Sequence, residues 1–182
     1  MLYIHPLKEM FRLTESFCIH MRKTILEFRL PPYEEISDVG LYLEQTARYV
    51  HSILHPLVDS TTLTASMISN YVKSHLLPGP VHKRYSRDQI AVLIFITIAK
   101  SIMSLEEIRI FLDLYEVNTN PDRLYTLFCE EFRSALLFSL DPHVLPPRTP
   151  ENDPSAFLLH SAAVTIAHRI VMNFCFHRLQ KK

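Results

Sequence analysis

With 182 residues, 48% of them hydrophobic and 21% charged, the chain is long enough to bury its own core without a metal or disulfide staple, and its composition excludes wholesale disorder. Nineteen basic and nineteen acidic side chains cancel at a pI of about 7.2, which excludes a strong overall field drawing the molecule onto nucleic acid. Cys18, Cys129 and Cys175 are few and far apart, so no disulfide framework is expected and a cytoplasmic setting is. The first residues lack the order of a secretory signal. No membrane span is expected either: the apolar run Ile90–Ala99 is too short, and Ala156–Phe176 is interrupted by His160, His168 and Arg169.

Only Gly40 and Gly79 interrupt the chain with glycine, and apolar residues recur every three or four positions, so an all-α fold is expected. The first helix is predicted from about Pro6 to Phe28. Its seam of Leu7, Phe11, Thr14, Cys18, Met21 and Ile25 suits either packing inside the protomer or a dimer contact. Pro31-Pro32 stops it, because proline cannot donate its amide and restrains the residue before it. A second helix is predicted from Asp38 as N-cap, with Val39, Tyr42, Leu43, Thr46, Tyr49, Val50, Ile53 and Leu54 on its apolar face, and ends at His55-Pro56.

Thr64 caps the next predicted helix. There Ile68, Tyr71, Val72 and His75 share one face and Ser66, Ser69, Asn70 and Lys73 the other. After a Pro78-Gly79-Pro80 corner and the basic His82-Lys83-Arg84-Tyr85, two capping boxes follow: Ser86 with Gln89 and Ser104 with Glu107. The helix between them, from Arg87 to about Ile102, is apolar nearly all round and must be wrapped by others, with Leu105, Ile108, Phe111, Leu112 and Tyr115 of its successor packed on it. A further helix is predicted over Asp122–Leu140. Five prolines between Asp141 and Pro154 make a stiff connector, and a last helix spans about Ser155 to Leu179. Its apolar surface exceeds what a surface helix needs, so burial within the protomer or in a dimer is expected. The chain divides into an N-terminal helix (1–30), a central domain (31–116) and a C-terminal helical region for dimerisation or sensing (117–182).

Two glycines leave no room for a phosphate-cradling loop, a dinucleotide fingerprint or a nucleophile elbow in their usual forms. The adjacent pairs Glu34-Glu35, Glu106-Glu107 and Glu130-Glu131 diverge on a helix and make poor acid/base couples. No enzyme, no cofactor and no metal site is expected, although His51 with His55 has the spacing that puts two imidazoles on one helical face, and Cys175 with His177 is another conceivable ligand pair.

Charge is segregated. From Thr64 to Lys100, Lys73, Lys83, Arg84, Arg87 and Lys100 stand against Asp88 alone, whereas from Pro31 to Leu63, Glu34, Glu35, Asp38, Glu44 and Asp59 stand against Arg48. A basic corner before a helix N-terminus suits a phosphate path. His82, Lys83, Arg84 and Arg87 are therefore the expected backbone contacts, and Ser66, Ser69, Asn70 and Lys73 the expected readers of base edges, with Asn70 placed to pair with adenine. Tyr85 is read as a core aromatic beneath this corner. A third reading is a sensor whose pocket includes Phe157, His160, Phe174 and Cys175, between the last two helices.

The central block resembles the winged helix-turn-helix of MerR-type regulators. The resemblance rests on Met67-Ile68-Ser69-Asn70-Tyr71, Leu76-Leu77-Pro78, Arg84-Tyr85-Ser86 and Met103-Ser104-Leu105-Glu106-Glu107-Ile108, which stand in the order of that family's recognition helix, its exit, the wing and the following helix start. The stretch from about Leu30 to Tyr115 is also similar to a bacterial family of unknown function. The MerR resemblance implies a DNA-binding regulator: a homodimer on double-stranded DNA, with room for a small-molecule effector. Three departures stand out: Ser69-Asn70 where that family has Arg-Tyr, a shorter wing, and a long helix ahead of the domain. The alternative is an adaptor that keeps the winged fold and binds protein instead.

Overall fold

The computed structural model describes residues 19–57, 63–115, 120–140 and 153–180. The predicted start of the first helix at Pro6, most of its seam, and the proline-rich connector up to Asn152 lie outside these residues. Helix α1 is described over residues 19–27 and ends ahead of Pro31-Pro32, as expected from the proline pair. There follow a 3-10 turn (Tyr33–Glu35), strand β1 (Leu41–Tyr42), α2 (Leu43–Leu54), α3 (Ala65–Lys73), β2 (Arg84–Tyr85), α4 (Arg87–Ala99), α5 (Leu105–Leu114), α6 (Pro121–Leu140) and α7 (Pro154–Gln180). The protein is mainly helical. The all-α expectation is amended by one two-stranded antiparallel sheet, in which Leu41 pairs with Tyr85 and Tyr42 with Arg84.

That sheet explains why α2 begins later than predicted. Asp38 is not its cap: Gly40 takes a left-handed φ of 69° and turns the chain into β1, and α2 starts after Tyr42, whose amide donates to Gln45 Oε1 at 3.0 Å. Val39 and Tyr42, predicted on the apolar face, are exposed, while Thr46, Ala47, Val50 and Leu54 are buried. The hydroxyl of Thr46 is satisfied by the carbonyls of Leu41 and Tyr42.

The other three predicted caps, Thr64, Ser86 and Ser104, are present. Thr64 Oγ1 accepts from Met67 N at 3.2 Å, and reciprocal boxes join Ser86 to Gln89 and Ser104 to Glu107. Capping satisfies amides that a helix start leaves unpaired and contributes about 1 kcal/mol each. His75 does not continue the apolar face of α3. It sits past the helix with φ 57°, where Leu76 N reaches back to Tyr71 O and His75 N to Val72 O, the hydrogen-bond pair of a Schellman end.

Helix α4 is the central rod, and every residue from Gln89 to Ala99 is buried. It packs against α2 and β2, and also against α6 and α7, so a single apolar cluster runs through the described residues. Phe95 meets Phe111 and Phe128, and Phe128 stacks on Phe132 at 5.2 Å. From α5, Ile108, Phe111, Leu112 and Tyr115 join this core, whereas Leu105, expected there, is 40% exposed because it opens the helix at its capped end.

Two arginines tie α1 to α6. Arg133 of α6 donates to the carbonyls of Ile25, Leu26 and Phe28 at the end of α1, and Arg22 of α1 donates to Leu140 O at the end of α6. Each guanidinium closes a helix C-terminus, where orphan carbonyls carry partial negative charge. In α7, Leu159, Ala162, Ala163, Ile166, Ala167 and Ile170 are buried, while Phe157, Leu158, Met172 and Phe176 are exposed. By length and composition α7 is the one helix among the described residues apolar enough to cross a membrane, with a mean hydropathy of 1.3 over Pro154–His177. One third of that window is buried, and His160, one of its polar interruptions, pairs with Glu131 of α6 at 3.1 Å.

Candidate nucleic-acid interface

The corner between Pro78 and Ser86 is a two-residue β-hairpin. Val81 and Arg84 exchange both backbone hydrogen bonds, at 3.1 and 2.9 Å, around His82 and Lys83. Both tip residues have positive φ, 48° and 63°, which is the geometry of a type I′ turn. Such turns favour Asn-Gly, since a side chain with a Cβ loses roughly 1 kcal/mol in the left-handed region. The tip keeps two basic-type side chains there at a conformational cost, and both are exposed.

The inner arm of the hairpin is held differently. Arg84 donates from Nη1 to the carbonyls of Val39 and Gly40, both at 3.2 Å, and from Nη2 to the Tyr42 hydroxyl at 3.2 Å, with its guanidinium 4.5 Å above the Tyr42 ring. A Cβ on Gly40 would stand 3.1 Å from Arg84 Cβ, so glycine is required there by both its φ and this approach. Arg87 donates from Nε to Ile36 O at 2.9 Å, pairs with Asp38 at 3.5 Å and lies over the Tyr33 ring. Tyr33 donates its hydroxyl to Asp88, and burial together with that carboxylate pushes its proton affinity well above the ordinary tyrosine range. Tyr85 is buried beneath the hairpin, as read from the sequence, and burial raises its pKa as well. At the other end of α4 the Lys100 ammonium rests 5.5 Å from the Tyr71 ring.

On α3 the burial of Ile68 and Tyr71 turns Ser66, Asn70 and Lys73 outward, with Ser69 half-buried at their edge. None of these four side chains bonds to another group among the described residues. Of the eight sequence-selected residues, Ser66, Ser69, Asn70, Lys73, His82 and Lys83 thus present uncommitted side chains, and Arg84 and Arg87 have theirs engaged inside the fold. Sequence reasoning missed those engagements because their acceptors are mostly backbone carbonyls more than forty residues away.

Beside α3 and the hairpin a half-open cavity of about 590 Å³ is bounded by the start of α4 and by α5, with Val72, Leu77, Val81, Gln89, Val92 and Leu112 in its wall. Gln89 serves the Ser86 cap through Oε1 and holds the carbonyls of Pro78 and Gly79 through Nε2, which fixes one edge of the opening. This cavity is not where the sensor reading expected one. Phe157 and Cys175 are exposed, Phe174 packs against the core, and His160 is taken by Glu131. His51 and His55 lie edge to face at 5.4 Å, and no group of three or more metal-ligating side chains occurs among the described residues.

The chain belongs to a family described as a domain of unknown function (DUF1836), whose profile matches residues 31–128, more than half of its length. No curated protein and no solved structure matches it.

Proposed function

We propose that this member of the DUF1836 family is a DNA-binding transcription regulator of MerR-like type, active as a homodimer. The order strand, helix, helix, hairpin, helix, helix from Leu41 to Leu114 supports a winged helix-turn-helix reading. The observation that carries the proposal is the hairpin tip: His82 and Lys83 are kept in a costly backbone geometry with their side chains pointing into water, and strain of this kind collects at functional sites. In this reading Lys83 and His82 meet phosphate, Lys73 meets a second phosphate, and Ser66, Ser69 and Asn70 face base edges. Arg84 and Arg87 set the position of the wing instead of touching DNA. The exposed apolar residues of α7, Met172 and Phe176 among them, supply the dimer surface.

The test is selection of bound fragments from random duplex DNA at two salt concentrations. Enrichment of a two-fold symmetric site is expected. With Lys73 and Lys83 of two protomers contributing four phosphate contacts, log K should fall with log salt at a slope of roughly −3 to −4. The second reading, a protein-binding adaptor, is favoured by the zero net charge and by the internal use of Arg84, Arg87 and Lys100. Absence of any enrichment at low salt would select it.

A further inference from the structure

The cavity beside α3 has walls of two kinds. Val72, Leu77, Val81, Val92 and Leu112 make it apolar on one side, and the rest carries the charged side chains of Arg84, Arg109, Asp88 and Asp113, with His75, Ser86 and Gln89 among them. These four charges cancel formally, but they are not equally available. Arg84 is spent on Val39, Gly40 and Tyr42, and Arg109 on the carbonyls of Ser74 and His75 and on Glu106. The carboxylates are less satisfied. Asp88 accepts from Tyr33, and the exposed carboxylate of Asp113 has no hydrogen bond or ion pair among the described residues. Asp113 also stands in the last turn of α5, where the carbonyl end of the helix is already negative and no basic residue is present. Both guanidinia keep their charge but have their donors engaged within the fold, so of these four side chains the one left without a partner is an acceptor, the Asp113 carboxylate, beside an apolar wall.

We infer that this cavity binds a small organic cation, an ammonium group on an apolar body. The ammonium faces Asp113, with Asp88 as the nearest further carboxylate in the wall, and the body lies on Val72, Leu77 and Leu112. The volume falls within the range of small-molecule sites, about 300–1,000 Å³. An occupant would touch the end of α3 through Val72 and the hairpin through Val81, behind both groups of residues proposed to meet DNA. Binding is measured on the protein alone, so the inference stands or falls separately from the DNA-binding reading.

The experiment titrates the full chain with phenylbutylamine, phenylbutanol and phenylbutyrate, three probes of equal shape and different charge, followed by saturation-transfer NMR. The amine is expected to bind about fivefold to tenfold tighter than the alcohol, and the acid weakest. Asp113→Asn, at an exposed helix end that tolerates the change, should bring the amine down to the affinity of the alcohol. Val81→Lys, at a residue 70% exposed, should abolish amine binding while leaving the core untouched. Equal binding of the three probes, or an Asp113→Asn protein that keeps its preference for the amine, would overturn the inference.

Discussion

The inner arm of the hairpin and its tip differ in what they do with charge. Arg84 folds back over Tyr42 and closes the carbonyls of the Gly40 turn, while Lys83, the adjacent residue, extends into water with no partner among the described residues. The same division separates Arg87, Arg109 and Arg133, each bonded to backbone carbonyls, from Lys73. A guanidinium offers five donors in a fixed fork, which suits clusters of carbonyls; an ammonium on a flexible stem is cheaper to leave solvated. A basic stretch in a sequence thus contains two populations, one that builds the fold and one left for a partner.

The contrast can be broken most forcefully at Gly40. Gly40→Ala combines a left-handed φ with a Cβ contact on the paired strand, and should cost about 1–3 kcal/mol in urea denaturation. A loss below 0.5 kcal/mol would mean that the turn does not hold the arm. Arg84→Ala should cost about 1–2 kcal/mol, since it frees two carbonyls and a hydroxyl at a partly solvated site. It should leave the salt slope of DNA binding unchanged. Lys83→Ala should do the reverse: stability within about 0.5 kcal/mol of the parent, and a slope smaller by roughly one unit per protomer.

A subtler change sharpens the same comparison. His82→Asn with Lys83→Gly gives the tip the residues its turn prefers and should stabilise the fold by about 0.5–1 kcal/mol while weakening DNA binding. Stability and binding moving together would remove the case for a functional tip. The cysteines offer the smallest effect. In a Cys18→Ser background, Cys175 should alkylate at pH 8 as an exposed thiol does, and Cys129 should be protected, because burial pushes its thiol up to about 12. A thiol whose folded pKa is raised contributes stability below its ordinary value near 9, and that contribution is lost as pH rises toward 12. Equal labelling rates would contradict the burial of Cys129.

Much of the helical frame was legible in the residue order. Thr64, Ser86 with Gln89, and Ser104 with Glu107 announce three helix starts through local spacing alone, and the unbroken apolar run after Arg87 announces a helix that others must surround. The start of α2 was not legible, because it depends on a strand pair that joins Leu41 to Tyr85 across forty-odd residues. The left-handed end of α3 at His75 was hidden too, since histidine carries no such signal as glycine does. At the candidate interface the outward polar face of α3 followed from helical periodicity. The fate of Arg84 and Arg87 did not, because carbonyl acceptors are common to every residue and leave no mark in a sequence.

The position of α4 bears on how the protein can be divided. The family match closes at Phe128, partway along α6, so a fragment cut there keeps the ring that touches Phe95 but loses Phe132, which stacks behind it, and all of α7. Such an excised piece would open one side of its own interior to water and clump. The intact protein should instead melt in one cooperative step, its two halves sharing a single spine.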